Sequence, residues 1–288
     1  MYSNLGTAIA EASPGDTLLI AGSPFHYGDH WIYKELHFVG VGWFLATNGI
    51  PGISKDWTGV HLRFKKDNSL GDSSGSSATG TSGIIESVAG VTGIVVDKCQ
   101  SPGWNWNFFG PVTITRSYNQ HTMYLHATNS SISNSIIGRL HLNIANTSAT
   151  NCVVRDYIAA VTSTSVTNTV FRVATGASWS NNPTYTFCLN IGASFLPEGN
   201  GNINGQLLPD VLRAVGDINR DQYYQLSESS VAKGVGLGGD DMGAFGGSDP
   251  YVLSGVPGLP RMTRFNAPLT ATGLTAVTVE VEAEAFPE

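Results

Sequence analysis

Charge is scarce in this chain of 288 residues: Asp, Glu, Lys and Arg make up 13%, and the balance is acidic at −7. Without a basic stripe there is nothing to neutralise phosphates, so a nucleic-acid partner is excluded. No run approaches the roughly 18 apolar residues of a membrane helix, so no membrane span is expected. Cysteine is rare too. Cys99, Cys152 and Cys188 are an odd number, which rules out a complete disulfide framework and leaves buried thiols as the expectation. The signatures that mark a P-loop, a GxSxG elbow, an HExxH zinc helix or a dinucleotide fold are all missing. What remains is apolar (41%), aromatic (10%) and rich in Gly, Ser, Thr and Asn. That mixture is too apolar for a disordered chain and suits many turns between hydroxyl-rich strands.

Order appears in the middle of the chain. Ser131 to Ile137, Ser148 to Val154 and Ser165 to Phe171 align on Asn134, Asn151 and Asn168, which are 17 residues apart. Alternating apolar sets precede each asparagine: Met123, Leu125, Ala127; then Leu140, Leu142, Ile144; then Tyr157, Ala159, Val161. So short a period, with two strand-like segments and an Asn-marked turn, predicts a solenoid of stacked coils. Met123, Leu140 and Tyr157 should then stack inside, and Asn134, Asn151 and Asn168 should form a structural ladder at a turn that Asn tolerates. The cysteine spacings are not multiples of 17, which argues against a stacked pair. One step beyond Asn168 stands Tyr185, where the motif breaks.

Both ends of the chain carry a resemblance. Leu5 to Gly22 reads as a short helix, the turn Ser13-Pro14-Gly15-Asp16-Thr17 and a buried strand. It resembles the opening of right-handed parallel β-helix proteins of the pectin-lyase-like superfamily, where a capping helix covers the first coil. Tyr223 to Gly234 with Asp241-Met242-Gly243-Ala244-Phe245 is similar to the closing segment of secreted bacterial β-helix repeat proteins, which precedes a C-terminal anchoring or sorting region. Ser230 departs from it, since that family usually has Pro there. The resemblance implies an all-β, right-handed parallel β-helix with a short N-terminal capping helix, placed outside the cell or on its surface, with a leader that this sequence does not contain. Residues 1–257 are read as the β-helix and 258–288 as a linker plus one strand, because 276–286 alternates strictly. That strand would begin a following domain or join a neighbouring molecule. Strands are expected near His37 to Val41 and His61 to Phe64, and the Gly/Ser-rich residues 67–83 as a loop bulging from one coil.

Candidate chemistry lies on the outward positions. The register sets Tyr124 against His141 and His126 beside Asn143, with Arg139, Arg155 and Asp156 nearby. Such a cluster suits a polysaccharide or cell-surface glycan, and a solvated polar ladder is the plainer alternative. Trp104 offers a platform for a sugar ring, while Trp106 falls inward. His26 to Trp31 is read as a loop. Asp217, Asn219, Asp221 and Glu228 match the oxygen-ligand positions of a calcium loop, although Gln222 stands where the sharp turn needs Gly. Calcium is the one cofactor this pattern suggests. The functional expectation is an exported, non-enzymatic surface protein, adhesive or filament-forming and glycan-binding. The alternative is a polysaccharide lyase or glycoside hydrolase acting on the same outer face.

Overall fold

The computed structural model describes residues 2–43, 58–161, 163–172, 183–192 and 196–256, together with the backbone of 261–266 and 280–284. Two parallel sheets run the length of a β-solenoid. The first has nine short strands, from Thr17–Leu19 and His37–Val39 through Ser131–Ser133, Ser148–Thr150 and Ser165–Thr167 to Thr184–Thr186. The second has eleven, among them Asp29–Ile32, His61–Phe64, Trp106–Phe108, Tyr118–Leu125, Ile136–Leu142 and Val153–Ala160. Most coils give one strand to each sheet; one gives two to the second, Gln100–Ser101 and Trp106–Phe108, and Ile203–Gln206 extends that sheet alone, while neighbouring coils pair in parallel.

Alternation fills the interior. Central residues of the first sheet stack as Phe38, Ala78, Val96, Ile114, Ile132, Ala149, Val166 and Tyr185. Opposite them Trp106, Met123, Leu140 and Ile158 stack from the second sheet. All of these are buried. The open end is covered by a helix over Leu5–Glu11, which Asn4 caps by accepting the Thr7 N–H at 3.1 Å. Lys34 closes its other end, donating from Nζ to the carbonyls of Ala10 and Ala12.

The corner between the sheets explains the asparagines. Asn134, Asn151 and Asn168 hold φ of 46°, 50° and 50°, in the left-handed region where Asn is the best tolerated residue with a side chain. Lys98, Arg116 and Phe187 occupy the same corner of other coils, at 50°, 46° and 51°. Each donates its N–H to the coil that follows. Coil length is therefore 18 residues before Asn134, 17 across the regular centre and 19 up to Phe187. Tyr185 does not break the solenoid; the longer coil moves the corner to Phe187.

Variable coil length also corrects the cysteine argument. Cys99, Cys152 and Cys188 each follow a corner residue, as do Ser117, Ser135 and Thr169, so all six share one column. Every one of these hydroxyls or thiols donates to the carbonyl two residues earlier. The thiols are free and buried, two or more coils apart. At about 4.8 Å per coil they are too distant to pair.

A second correction concerns Tyr157. Arg155 and Asp156 stand opposite the single residue Gly138, so the strand bulges and Ile158, not Tyr157, follows Leu140 inward. Tyr157 and Ala159 face out. Two loop expectations also change. Asp29–Ile32 is a strand and not a loop, and the aromatic pair of the closing segment lies in a 3-10 turn over Asp221–Tyr224. Residues 67–83 bulge only in part, because Lys66–Asp67 and Gly71–Asp72 form a hairpin and Ser77–Thr79 rejoins the first sheet.

Outside the coils lies a second core. Tyr118, Ile136, Val153, Val170 and Leu189 stack on the outer side of the second sheet. Val211, Leu212, Tyr223, Tyr224, Ala232, Met242, Ala244 and Tyr251 of the closing segment cover them. Asn134 donates through Nδ2 to the Gly246 carbonyl at 2.7 Å, and Asn168 accepts the Leu237 N–H at 2.7 Å. Gly243 (φ 95°) lies so close to the coils that a Cβ would meet Val170 at 3.2 Å. Ser230, the departure from the closing-segment pattern, donates to the Val211 carbonyl at 2.8 Å and is buried. Residues 261–266 and 280–284 pair antiparallel with each other. The rest of the 276–286 stretch lies outside the described residues.

Candidate functional site

The register of the second sheet shifts between Asn119 and Thr122, and beyond that shift its outward residues are partly exposed. Register sets Asn107, Tyr124, His141 and Ala159 in one outward column. Phe109, His126 and Asn143 form the next, one coil apart, tied by backbone bonds from His126 to Phe108 and from Asn143 to Leu125.

These two columns make an aromatic and imidazole strip. Phe109 and His126 stack almost parallel, with ring centroids 4.4 Å apart and planes 4° from coplanar. Tyr124 lies 4.6 Å from His141 and 5.8 Å from His126. The His141 Nε2 and the Tyr157 hydroxyl are 2.7 Å apart. Asn143 Nδ2 sits 3.2 Å from His126 Nδ1, as the register predicts. Arg139 covers the Tyr157 ring at 5.8 Å and pairs with Asp156 at 3.5 Å. Partial burial lowers the pKa of His126; burial, with smaller contributions from His126 and Arg139, lowers that of His141. Both rings are therefore neutral near pH 7, and the Asn143 amide can donate to His126 Nδ1.

Not every expected residue joins the strip. Trp104 is 41% exposed but belongs to another group, edge-on to His61 at 5.0 Å. His61 in turn bonds through Nδ1 to Asp29 and lies 4.3 Å from His26. Trp106 points inward and donates its indole N–H to the Gly83 carbonyl, in agreement with the register. Arg155 is no outward partner of Arg139, since it is buried beneath the closing segment with its guanidinium over Tyr224. Phe109 and Tyr157 are the members that the sequence reading missed. Phe109 precedes His126 by 17 residues and follows from the repeat alone. Tyr157 is hidden by the bulge.

In the calcium pattern the carboxylates of Asp217 and Asp221 are engaged in other contacts. Asp217 accepts the N–H of Asn219 in a tight turn. Asp221 is fully buried and accepts from the N–H groups of Gln222 and Ser254 and from the Tyr251 hydroxyl. Glu228 is exposed, and its carbonyl accepts from Lys233 Nζ. Among the described residues no three His, Cys, Asp or Glu side chains are grouped to hold a metal ion, and no helix is long and apolar enough to cross a membrane.

Comparison with protein-family models, with curated proteins and with solved structures finds no match for this chain.

Proposed function

We propose that the protein is a non-enzymatic binding solenoid that holds a glycan on the outward strip of Phe109, Tyr124, His126, His141, Asn143 and Tyr157. One observation carries this reading: the coils set five aromatic or imidazole rings side by side on one half-exposed face, with an amide and a phenol at the margin. Sugar rings present C–H faces that stack on such surfaces and hydroxyls that bond such polar tips. The strip is a ladder of rings one coil apart on one outward face. The acidic group beside it, Asp156, is engaged with Arg139. A face that shows no pair of free carboxylates among the described residues favours binding over glycoside cleavage. Export and a surface location, as in secreted bacterial relatives of the pectin-lyase-like kind, belong to the same proposal and rest on the sequence patterns at the two ends.

A glycan array followed by titration of the best ligand tests it. Replacing Tyr124 or Phe109 with Ala should weaken binding about fivefold, since each stacking platform contributes about 1 kcal/mol. Unchanged binding in both variants would sink the proposal. The 2.7 Å couple of His141 with Tyr157 favours a second reading, proton transfer in a lyase or hydrolase. Release of unsaturated products or reducing ends, lost in His141→Ala, would replace the first reading with the second.

A further inference from the structure

The seam between the coils and the closing segment holds a charge that no ion pair balances among the described residues. Arg155 is 9% exposed, and its Nε and Nη1 are buried without a hydrogen-bond partner among the described residues. One coil on, the backbone N–H of Arg172 donates to the Val154 carbonyl at 2.8 Å, which brings the two arginines into neighbouring positions. Their guanidiniums lie over adjacent rings, Arg155 over Tyr224 at 5.7 Å and Arg172 over Tyr223 at 5.9 Å, and those rings are 5.2 Å apart.

Among the described residues no carboxylate forms an ion pair with either arginine. Asp156 pairs with Arg139, Asp221 is held by Tyr251, Ser254 and Gln222, and Asp217 closes its own turn. Residues 173–182, which follow Arg172 directly, contain no Asp or Glu. Ring faces attract a cation only modestly, whereas two like charges side by side, one of them buried with open N–H groups, are strongly unfavourable. A small anion between them supplies both the missing charge and the missing acceptors. We propose that Arg155 and Arg172, floored by Tyr223 and Tyr224, form a binding site for a small oxyanion such as sulfate or formate, which ties the closing segment to the coils.

The test is thermal unfolding of the intact chain in 0–20 mM sodium sulfate or sodium formate, at ionic strength held constant with sodium fluoride. These concentrations are too low for general salting effects to dominate. A site with a dissociation constant near 1 mM raises Tm saturably, by about 3 °C at 20 mM. The increment should vanish in Arg172→Met, which removes the less buried partner, and in Arg155→Met. If Arg155→Met does not fold, Arg172→Met decides alone, with Arg63→Met on the outer face as the variant that keeps the increment. Equal responses in wild type, Arg172→Met and Arg63→Met, or no response in wild type, would overturn the site in favour of a hydrated, anion-free seam. The glycan strip is untouched by these changes, so its fate is judged separately.

Discussion

The two cores of this molecule are built on different principles. Inside the coils, Trp106, Met123, Leu140 and Ile158 meet residues one coil away, so each coil carries a copy of the same instruction. Outside them, Tyr118, Ile136, Val153 and Val170 meet Tyr223, Tyr224, Met242 and Ala244, which no repeat announces. The inner core is a sum of nearest-neighbour contacts, as solenoids are. The outer core instead joins segments on the order of a hundred residues apart in sequence, and forming it must await the coils it lies on. Stability should therefore be unequal, with the closing segment opening on its own before the coils do.

Replacing one large side chain in each core tests that inequality most sharply. Trp106→Ala and Tyr224→Ala each remove a fully buried ring, a loss of about 3–5 kcal/mol. For Trp106→Ala the loss should be global, lowering the single unfolding transition and hydrogen-exchange protection in every coil. With Tyr224→Ala, protection should fall across 207–256 while strands 131–133 and 148–150 keep theirs. Equal loss everywhere in both variants would mean that the two cores unfold as one.

Titration separates the cores in a second way. Burial pushes the Cys99, Cys152 and Cys188 thiols up to about 12, from an ordinary value of 9.0. A folded-state pKa above the unfolded one gives stability that is complete below pH 9 and is lost as pH rises through 12. At pH 10 each thiol then costs about 1.4 kcal/mol, because only the unfolded chain ionises freely. Cys152→Ala should flatten the decline of Tm between pH 8 and 10, and no thiol should react with an aromatic disulfide reagent at pH 8 without denaturant. Rapid labelling of the native protein would contradict the burial of this column.

How much of this was legible in the sequence follows the same division. Asn134, Asn151 and Asn168 revealed the coil, its corner and its inward register, and from that register came the contacts of Tyr124 with His141 and of His126 with Asn143. A fixed period of 17 failed wherever coil length changed. One residue added at Arg155–Asp156 turned Tyr157 from core to surface, and the coils of 18 and 19 hid the shared column of the cysteines. The outer core was not legible because it has no period. Tyr223 and Tyr224 look like any aromatic pair until Tyr118 and Val153 are found opposite them. Asp221 likewise reads as a calcium ligand by spacing, yet in the fold its carboxylate is enclosed by Tyr251 and Ser254.

The asparagines stand at the boundary between the two cores, and their two roles can be separated. Asn168 holds a left-handed backbone for the coil and accepts the Leu237 N–H for the closing segment. Asn168→Gly keeps the first role and loses the second, so it should cost about 1 kcal/mol and loosen only the closing segment. Asn168→Ala loses both and adds about 1–2 kcal/mol of backbone strain within the coil. If the two variants have the same stability, the corner is not strained and the column serves the closing segment alone.

The smallest expected effect lies farthest from either core, on the strip itself. His126 and His141 both have pKa values lowered from 6.5, chiefly by partial burial. A lowered folded-state value gives stability that is present above pH 6.5 and is lost as pH falls through the folded pKa. Both rings are only partly buried, so the loss should be a shift of a degree or so in Tm between pH 7.5 and 5.5, which His126→Gln with His141→Gln should remove. Ligand affinity should fall more than stability over the same range. Protonation adds charge beside Arg139 and removes the Nδ1 acceptor that Asn143 uses, which disturbs the face a ligand touches while leaving both cores intact. A Tm loss as large as that of Asn168→Ala would show that the strip is tied to the inner core and is not a surface added to it.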